Sequence, residues 1–508
     1  MEVDVKEAWY LCLDQGGSSS RALVIDAGGR VRSRGQCPVA TAHPRPGWVE
    51  QSPGALLRSV REAASQALAA LAPAERCRIV SAGLVTQRSS LLGWHPQTAR
   101  PATPVLSWQD TRGAALLEQR VADPEVVLAR TGQWPNAHFG ASKFAWCLRE
   151  WPALRSAAQR GELCLGPLAA WLAQALTLPR GQDPAQNRAG AQPPRVDIAS
   201  AQRTLLLDHQ RGDWCEVLCA RFGLDPRWLP QVVDSDAGFG RLALDALDVP
   251  LQVLGGDQGA ALFADGEPDP DSLYINLGTG AFLMRPLKQA ATAAPVDPGR
   301  QLLSLNWQRG GRRWRTLEGT VNGAGAALDW WSRRHGGRDY RGLLAQALGS
   351  AEPPLFFNAV GGLGSPDWRA DLAPRFAQGG GEPLAELAGV VESIVYLIRR
   401  NAAQLAPYQR LRVSGGLANS DALCQRLADA LAAPVLRSAE PEATARGLQW
   451  WLAAAAGRGA DGEDRTPQSA SAGPDTARRF VPSGTAEDAR YALWTDYMAA
   501  QLAQPPEA

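Results

Sequence analysis

Along this chain, short apolar runs alternate with glycine-rich turns and with stretches whose apolar residues recur every three or four positions. Trp9-Tyr10-Leu11-Cys12-Leu13 reads as a buried strand, and Ala22-Leu23-Val24-Ile25 reads as another. Between them lies a Gly/Ser-rich turn, Asp14-Gln15-Gly16-Gly17-Ser18-Ser19-Ser20-Arg21, and Asp26-Ala27-Gly28-Gly29 turns the chain again. The pattern returns as Ser272 to Leu277, then Gly278-Thr279-Gly280, then Ala281-Phe282-Leu283-Met284. Such turns expose backbone N–H groups in a concave nest that suits an anion such as phosphate. Two such hairpins, one opening each half, predict two related domains closing on one nucleotide.

The rest of the pattern fits that plan. A helical stretch from Leu56 to Leu71 precedes a strand-like Ile79 to Val85, and such alternation predicts an α/β fold with a parallel or mixed sheet. Residues 180–195 read as an exposed loop insertion. The boundary is expected near Val249-Pro250, ahead of the strand Leu251 to Leu254. This gives an N-terminal domain at 1–249, a C-terminal domain at 250–457, a linker at 458–478, and a C-terminal helix within 479–508 that packs back on the body through Tyr491, Leu493, Trp494 and Met498.

Bulk properties narrow the functional classes. A chain of 508 residues should hold more than one domain. With 45% hydrophobic and 20% charged residues it can build a sizeable core. A net charge of +1 gives no reason to expect nucleic acid or an anionic membrane as partner. Lys6, Lys143 and Lys288 are the only lysines. The eight cysteines are irregularly spaced, and no Cys/His pair completes the one-turn spacing of Cys215 and Cys219 into a zinc site, so buried free thiols are expected. The N-terminus lacks a secretion pattern, and no apolar run would span a bilayer, so a cytoplasmic protein is expected.

Several residues suggest chemistry. Asp14 ends a strand where a phosphate turn begins, and a carboxylate there can hold Mg²⁺, or simply cap the turn. Asp257, in Gly255-Gly256-Asp257-Gln258-Gly259-Ala260-Ala261, precedes a helical stretch. It could take a proton from a hydroxyl attacking a γ-phosphate, or N-cap the helix, or do both. Gly415-Gly416 and Gly323-Ala324-Gly325 each sit at the mouth of a helix, where glycine admits a flat ligand or merely a tight turn. The basic run Gly310 to Arg315 reads as a solvated hairpin turn.

In order along the chain, these segments resemble the FGGY family of carbohydrate kinases, most closely its glycerol kinase branch. The resemblance lies in Leu13-Asp14-Gln15-Gly16 with Ser19-Ser20-Arg21, Pro46 to Gln51, Thr86-Gln87-Arg88, Val105 to Arg112, Gly255 to Ala261, Gly278-Thr279-Gly280, Gly361 to Trp368, and Ser414-Gly415-Gly416. It implies two ribonuclease-H-like domains of the actin and hexokinase type with an active-site cleft between them. It implies ATP and Mg²⁺, and a small polyol or sugar as substrate, while the oligomeric state stays open, a homo-oligomer included. Carried over, Asp257 is the general base and, with Asp14, attends the metal. Ser18, Ser19, Arg21 and Thr279, with Gly278 and Gly280, face phosphates. Gly325, Asp329, Gly416 and Ser420 line the base and ribose. Arg88, Trp108, Gln258 and Phe282 face the substrate.

The departures bear on substrate choice. Ser89 stands where glycerol kinases carry Glu, and His138 where they carry Tyr. A lost carboxylate removes an acceptor for a substrate hydroxyl, and the smaller Ser89 admits a larger polyol or ketose. Gly17-Ser18 replaces the usual Thr-Thr pair, Ser420 an Asn, and Asp329 a Gln. The expected activity is ATP-dependent phosphorylation of a polyol or sugar hydroxyl. Its rivals are a non-catalytic nucleotide or sugar sensor and an ATPase that needs no sugar.

Overall fold

Trp9–Gln15 is buried along its whole length, as its apolar run predicts, and forms the middle of a six-stranded sheet. The computed structural model describes residues 7–178, 193–244, 247–288, 301–349, 352–369, 371–438, 442–457, 478–484 and 488–503. The first sheet runs Arg241–Leu244, Leu247–Gly256, Ile79–Thr86, Trp9–Gln15, Ser19–Asp26, Val31–Pro38. Ser19–Asp26 and Val31–Pro38 continue antiparallel from the central strand, whereas Ile79–Thr86 and then Leu247–Gly256 pair in parallel. The helix Pro53–Ala69 connects the antiparallel part to the parallel part, turning Leu56, Val60, Ala63, Ala64 and Ala67 into the core.

The second sheet repeats this order. Ser272–Leu277 pairs antiparallel with Ala281–Pro286, which pairs antiparallel with Arg312–Val321. On its other side it pairs in parallel with Arg410–Ser414, which pairs in parallel with Val435–Arg437. Leu302–Arg309 and Arg478–Phe480 complete the edges of this seven-stranded sheet. The two hairpins singled out in the sequence therefore occupy equivalent places in two sheets of one topology, as two ribonuclease-H-like domains require. The helix Asp488–Leu502 buries Trp494 and Met498 in the core of the second sheet, while Leu493 is exposed.

The domain limits differ from those expected. One compact unit comprises Met1–Pro268, Ser304–Arg315 and Pro441–Ala472, and the other Asp269–Leu303, Thr316–Glu440 and Gly473–Ala508. A boundary at 249/250 would cut the strand Leu247–Gly256, which belongs whole to the first sheet. The helix Ala443–Ala456 also belongs to the first unit. Its side chains sit where that sheet has no Cβ: one built on Gly83 would lie 2.7 Å from Leu448, and one on Gly255 2.6 Å from Trp451. Trp451 stacks on Trp307 at 5.7 Å between centroids, with Phe263 edge-on to both. The basic run does form the hairpin turn, with Gly310 and Gly311 at positive φ, but it is not wholly solvated. Arg313 is half-buried and donates to the carbonyls of His209, Gln210 and Arg211. The proposed loop at 180–195, save its last three residues, and nearly all of the 458–478 linker lie outside the described residues.

Gly447 is the tightest of these seats, because a Cβ there would run into the Ala260 carbonyl of the short helix Asp257–Ala261. We expect Gly447→Ala to cost about 2–3 kcal/mol by overpacking, read as a lower urea midpoint with unchanged slope; an unchanged midpoint would mean that the two helices slide apart freely.

Candidate active site

In the first unit the hairpin register sets Asp14 directly opposite Arg21, so both side chains emerge on one face. Arg21 donates to Asp14 Oδ2 at 2.6 Å and to Glu442 Oε2 at 3.2 Å. Burial pushes the Asp14 carboxyl up, against the pull of Arg21. In the intervening turn the Gly16 N–H closes on the Ser19 carbonyl at 2.9 Å and the Val39 N–H on that of Ser18 at 2.8 Å. Among the described residues, the N–H groups of Gly17 and Ser18 donate to no carbonyl, and both residues are exposed. Two open N–H groups are what an anion nest requires. Asp14, Ser18, Ser19, Arg21, Asp257 and Glu442 all line one pocket of about 330 Å³.

Asp257 enters this pocket from the end of Leu247–Gly256. It is the first residue of the helix Asp257–Ala261, with Gly256 in the capping position, so the N-cap reading of Asp257 does not hold. Its Oδ1 accepts the Gln258 N–H at 2.7 Å. Gly256 is required by close approach: a Cβ there would meet Arg88 Cγ at 2.9 Å. Burial pushes the Asp257 carboxyl up to about 6 and the charge of Asp14 adds to this, while Arg88, the Gln258 N–H and Arg203 pull it down. Arg88 also donates to Gln258 Oε1, so these three residues form one cluster.

Trp108 and His138 form a second cluster. His138 Nδ1 lies 2.9 Å from the Trp108 carbonyl. A carbonyl only accepts, so Nδ1 carries the proton. Burial lowers the His138 pKa, which keeps the ring neutral and leaves Nε2 an acceptor. The Trp108 N–H is held by Ser90 Oγ at 3.0 Å, and the preceding Ser107 carbonyl by Lys143 Nζ at 2.7 Å. Lys143 is fully buried, and burial brings its amine down to about 7. With its peptide clamped, Trp108 remains 42% exposed. Ser89, where the resemblance expects Glu, adopts φ 63°, a conformation uncommon for a residue other than glycine.

The remaining sequence candidates lie in the second unit. Gly278-Thr279-Gly280 links two strands, with the Gly278 N–H on the Gly280 carbonyl at 2.9 Å, and the Thr279 and Gly280 N–H groups unused among the described residues. The carbonyls of Gly278 and Thr279 accept from Gly325 and Ala326 at 3.0 and 2.8 Å, so Gly325 packs the turn onto its own helix. Gly415 sits at φ 94° against the Leu277 carbonyl, and Gly416 is exposed with open space where a Cβ would stand. Ser420 N-caps the helix Asp421–Leu431. Asp329 is exposed on its helix beside Tyr340, and Phe282 is half-buried in Ala281–Pro286.

Sequence reasoning missed a chain of glutamines. Gln87 Nε2 donates to Gln15 Oε1 at 3.1 Å and to Gln51 Oε1 at 2.8 Å, and Gln51 Nε2 donates to the Gly17 carbonyl at 2.8 Å. Gln15, Gln51 and Gln87 each fall inside a quoted motif, but their meeting is a long-range fact. Lys143 had a signal, being one of three lysines in a chain that otherwise uses arginine. Glu442 had none.

The chain is similar to known proteins over most of its length. The sequence profile described as the FGGY family of carbohydrate kinases, N-terminal domain, matches residues 9–264, and that of the C-terminal domain matches residues 273–456. A glycerol kinase of Aromatoleum aromaticum is 33% identical over 87% of this chain and 89% of its own. One of Cereibacter sphaeroides is 32% identical over 95% of this chain and 97% of its own. Among solved structures, a Plasmodium falciparum glycerol kinase with ADP superposes with a TM-score of 0.82 at 19% identity, covering 98% of this chain and 99% of that one. A xylulose kinase from Rhodospirillum rubrum superposes with a TM-score of 0.78 at 19% identity, covering 97% and 98%. These two structures speak to the fold alone.

The Asp257 carboxyl should titrate with a midpoint near 6, followed by carboxyl NMR. Arg88→Met removes a positive charge that favours the carboxylate and should move the midpoint up, and Asp14→Asn should move it down. A midpoint that neither change moves would leave burial as its only cause.

Proposed function

The chain belongs to the FGGY family of carbohydrate kinases, and from that premise we propose that it transfers the γ-phosphoryl group of ATP to a hydroxyl of a small polyol or sugar, with Asp257 as general base. The observation that carries this is the placement of Asp257. Its carboxyl is raised to about 6, lies in one pocket with Asp14 and the Gly/Ser turn, and neighbours the Arg88–Gln258 pair. A base poised just below neutral pH is deprotonated in the resting enzyme yet still basic enough to accept a proton.

In this reading, Arg88, Gln258, Trp108 and His138 orient the acceptor so that one hydroxyl meets Asp257. As the proton passes to Asp257, the hydroxyl oxygen bonds to the γ-phosphorus and the bond to the ADP oxygen breaks in line. The N–H groups of Gly17 and Ser18 bind phosphate oxygens. Arg21 pulls Asp14 toward its charged form, against burial. The donor set suits Mg²⁺, which takes one or two carboxylates alongside phosphate oxygens and water: Asp14 and Asp257 line one pocket. When bound there, Mg²⁺ would neutralise charge on the phosphates. Eight free thiols fit a reducing compartment, which supports a cytoplasmic setting. No observation favours the sensor or the sugar-independent ATPase.

Asp257→Asn should lower kcat at least about a hundredfold while Mg-ATP still binds by calorimetry; undiminished turnover would remove Asp257 from the role of base. Because the base acts deprotonated, kcat/KM of the unmodified enzyme should fall as pH drops through about 6, and a profile flat down to pH 5 would contradict the assignment.

A further inference from the structure

We infer that Lys143 is a positioning residue for the acceptor, which it serves from inside the protein by fixing the turn that carries Trp108. This rests on the kinase reading above, in which Trp108 and His138 face the acceptor. Being fully buried, Lys143 acts through that turn and does not touch the acceptor.

Trp108 lies in a turn, outside any helix or strand, so no ladder holds its peptide groups. Three side chains hold them instead. Ser90 Oγ accepts the Trp108 N–H at 3.0 Å, His138 Nδ1 donates to the Trp108 carbonyl at 2.9 Å, and Lys143 Nζ donates to the Ser107 carbonyl at 2.7 Å. The peptide unit between Ser107 and Trp108 is therefore fixed at both its oxygen and its N–H. Lys143 is itself anchored by its helix, Gly140–Glu150. That helix is closely seated: a Cβ on Gly113 would lie 2.6 Å from Ser142 Oγ, and one on Gly140 3.0 Å from Thr204 Cα. The N–H groups of Gly140 and Ala141 reach the Arg203 and Thr204 carbonyls at 3.3 and 2.7 Å. Lys143 thus ties the Trp108 turn to a packed helix.

The residue type fits this task. Only three of the 52 lysines and arginines in the chain are lysines, and this seat holds one of them. A compact amine suits a single carbonyl, whereas a guanidinium would bring a planar fork of five donors into the same buried space. Burial brings the amine down to about 7, with Arg112 adding to the fall and Asp110 and Cys147 opposing it. Below that pH the amine is charged, and the charge bears on the other clamp of the turn. Burial and then Lys143 lower the His138 pKa, while the Trp108 carbonyl and Asp110 raise it. Lys143 therefore supports the neutral ring on which the His138 contact to Trp108 was argued.

The test compares the wild type with Lys143→Met, which keeps an unbranched side chain and removes its donor and charge. The Ser107 carbonyl still accepts the Asp110 N–H at 3.0 Å, so the change orphans no acceptor. The readouts are kcat/KM for glycerol, erythritol, ribitol and xylulose, Mg-ADP affinity by calorimetry, and the His138 midpoint by imidazole NMR. For the acceptor that the wild type uses best, we expect kcat/KM to fall about tenfold or more, with Mg-ADP affinity unchanged and the His138 midpoint raised. A packing role alone would lower the melting temperature and move none of these. Unchanged kcat/KM, a loss shared equally by Mg-ADP affinity, or an unmoved His138 midpoint would overturn the inference. Should Lys143→Met fail to fold, the wild type serves, because with three lysines ¹⁵N-lysine labelling resolves the Lys143 amine. Its signal should shift when that acceptor is added, and an amine that does not respond would overturn the inference. Inactivity of the wild type on all four acceptors would instead overturn the kinase reading, and with it the acceptor that Lys143 serves.

Discussion

The first unit depends on a carboxylate kept half-buried at a strand-to-helix junction, between a second carboxylate and an arginine. Taking Asp257 out of water favours its neutral form, and Asp14 in the same pocket reinforces this. Arg88 opposes both. The balance puts the group near 6 rather than near 4, in the range that the proposed base requires. Burial raises Asp14 as well, but there the opposing charge is Arg21, directly across the hairpin at 2.6 Å. Two aspartates of one pocket thus differ through the partners that the sheet register gives them.

That arrangement is possible only because backbones approach one another without side chains between them. Gly255 yields to Trp451, Gly256 to Arg88, Gly83 to Leu448, and Gly447 to the Ala260 carbonyl. The helix Ala443–Ala456 is thereby seated on the strand that carries Asp257 and on the helix that Asp257 opens. The aromatic cluster of Phe263, Trp307, Trp450 and Trp451 supports the same junction from behind. The rigidity expected at Asp257 comes from this packing, since the helix it opens is only five residues long.

What could be read from the sequence was local. The strand, glycine turn and strand at Trp9 to Ile25 and again at Ser272 to Met284 are adjacent in the chain, and the structure places them in equivalent positions of two sheets. Asp257 was legible for the same reason, since its glycines flank it. The domain limit was not, because parallel pairing of Leu247–Gly256 with Ile79–Thr86 joins segments more than 160 residues apart. The return of Ala443–Ala456 to the first unit, the salt bridge from Arg21 to Glu442, and the meeting of Gln15, Gln51 and Gln87 are also long-range. Ser420, expected beside the base and ribose, also N-caps the helix Asp421–Leu431, a local role its place ahead of Asp421 allows.

The central claim is that phosphoryl transfer is coupled to a hydroxyl acceptor held at Asp257. The most direct measurement is ADP release from purified enzyme and Mg-ATP, with and without each of a panel of polyols and ketoses, and phosphorus NMR of the product. The account predicts that ADP appears only when an acceptor is present, in equal amount with a phosphate monoester of that acceptor. ADP formed with inorganic phosphate whether or not an acceptor is added, or nucleotide binding with no turnover on any acceptor, would contradict it.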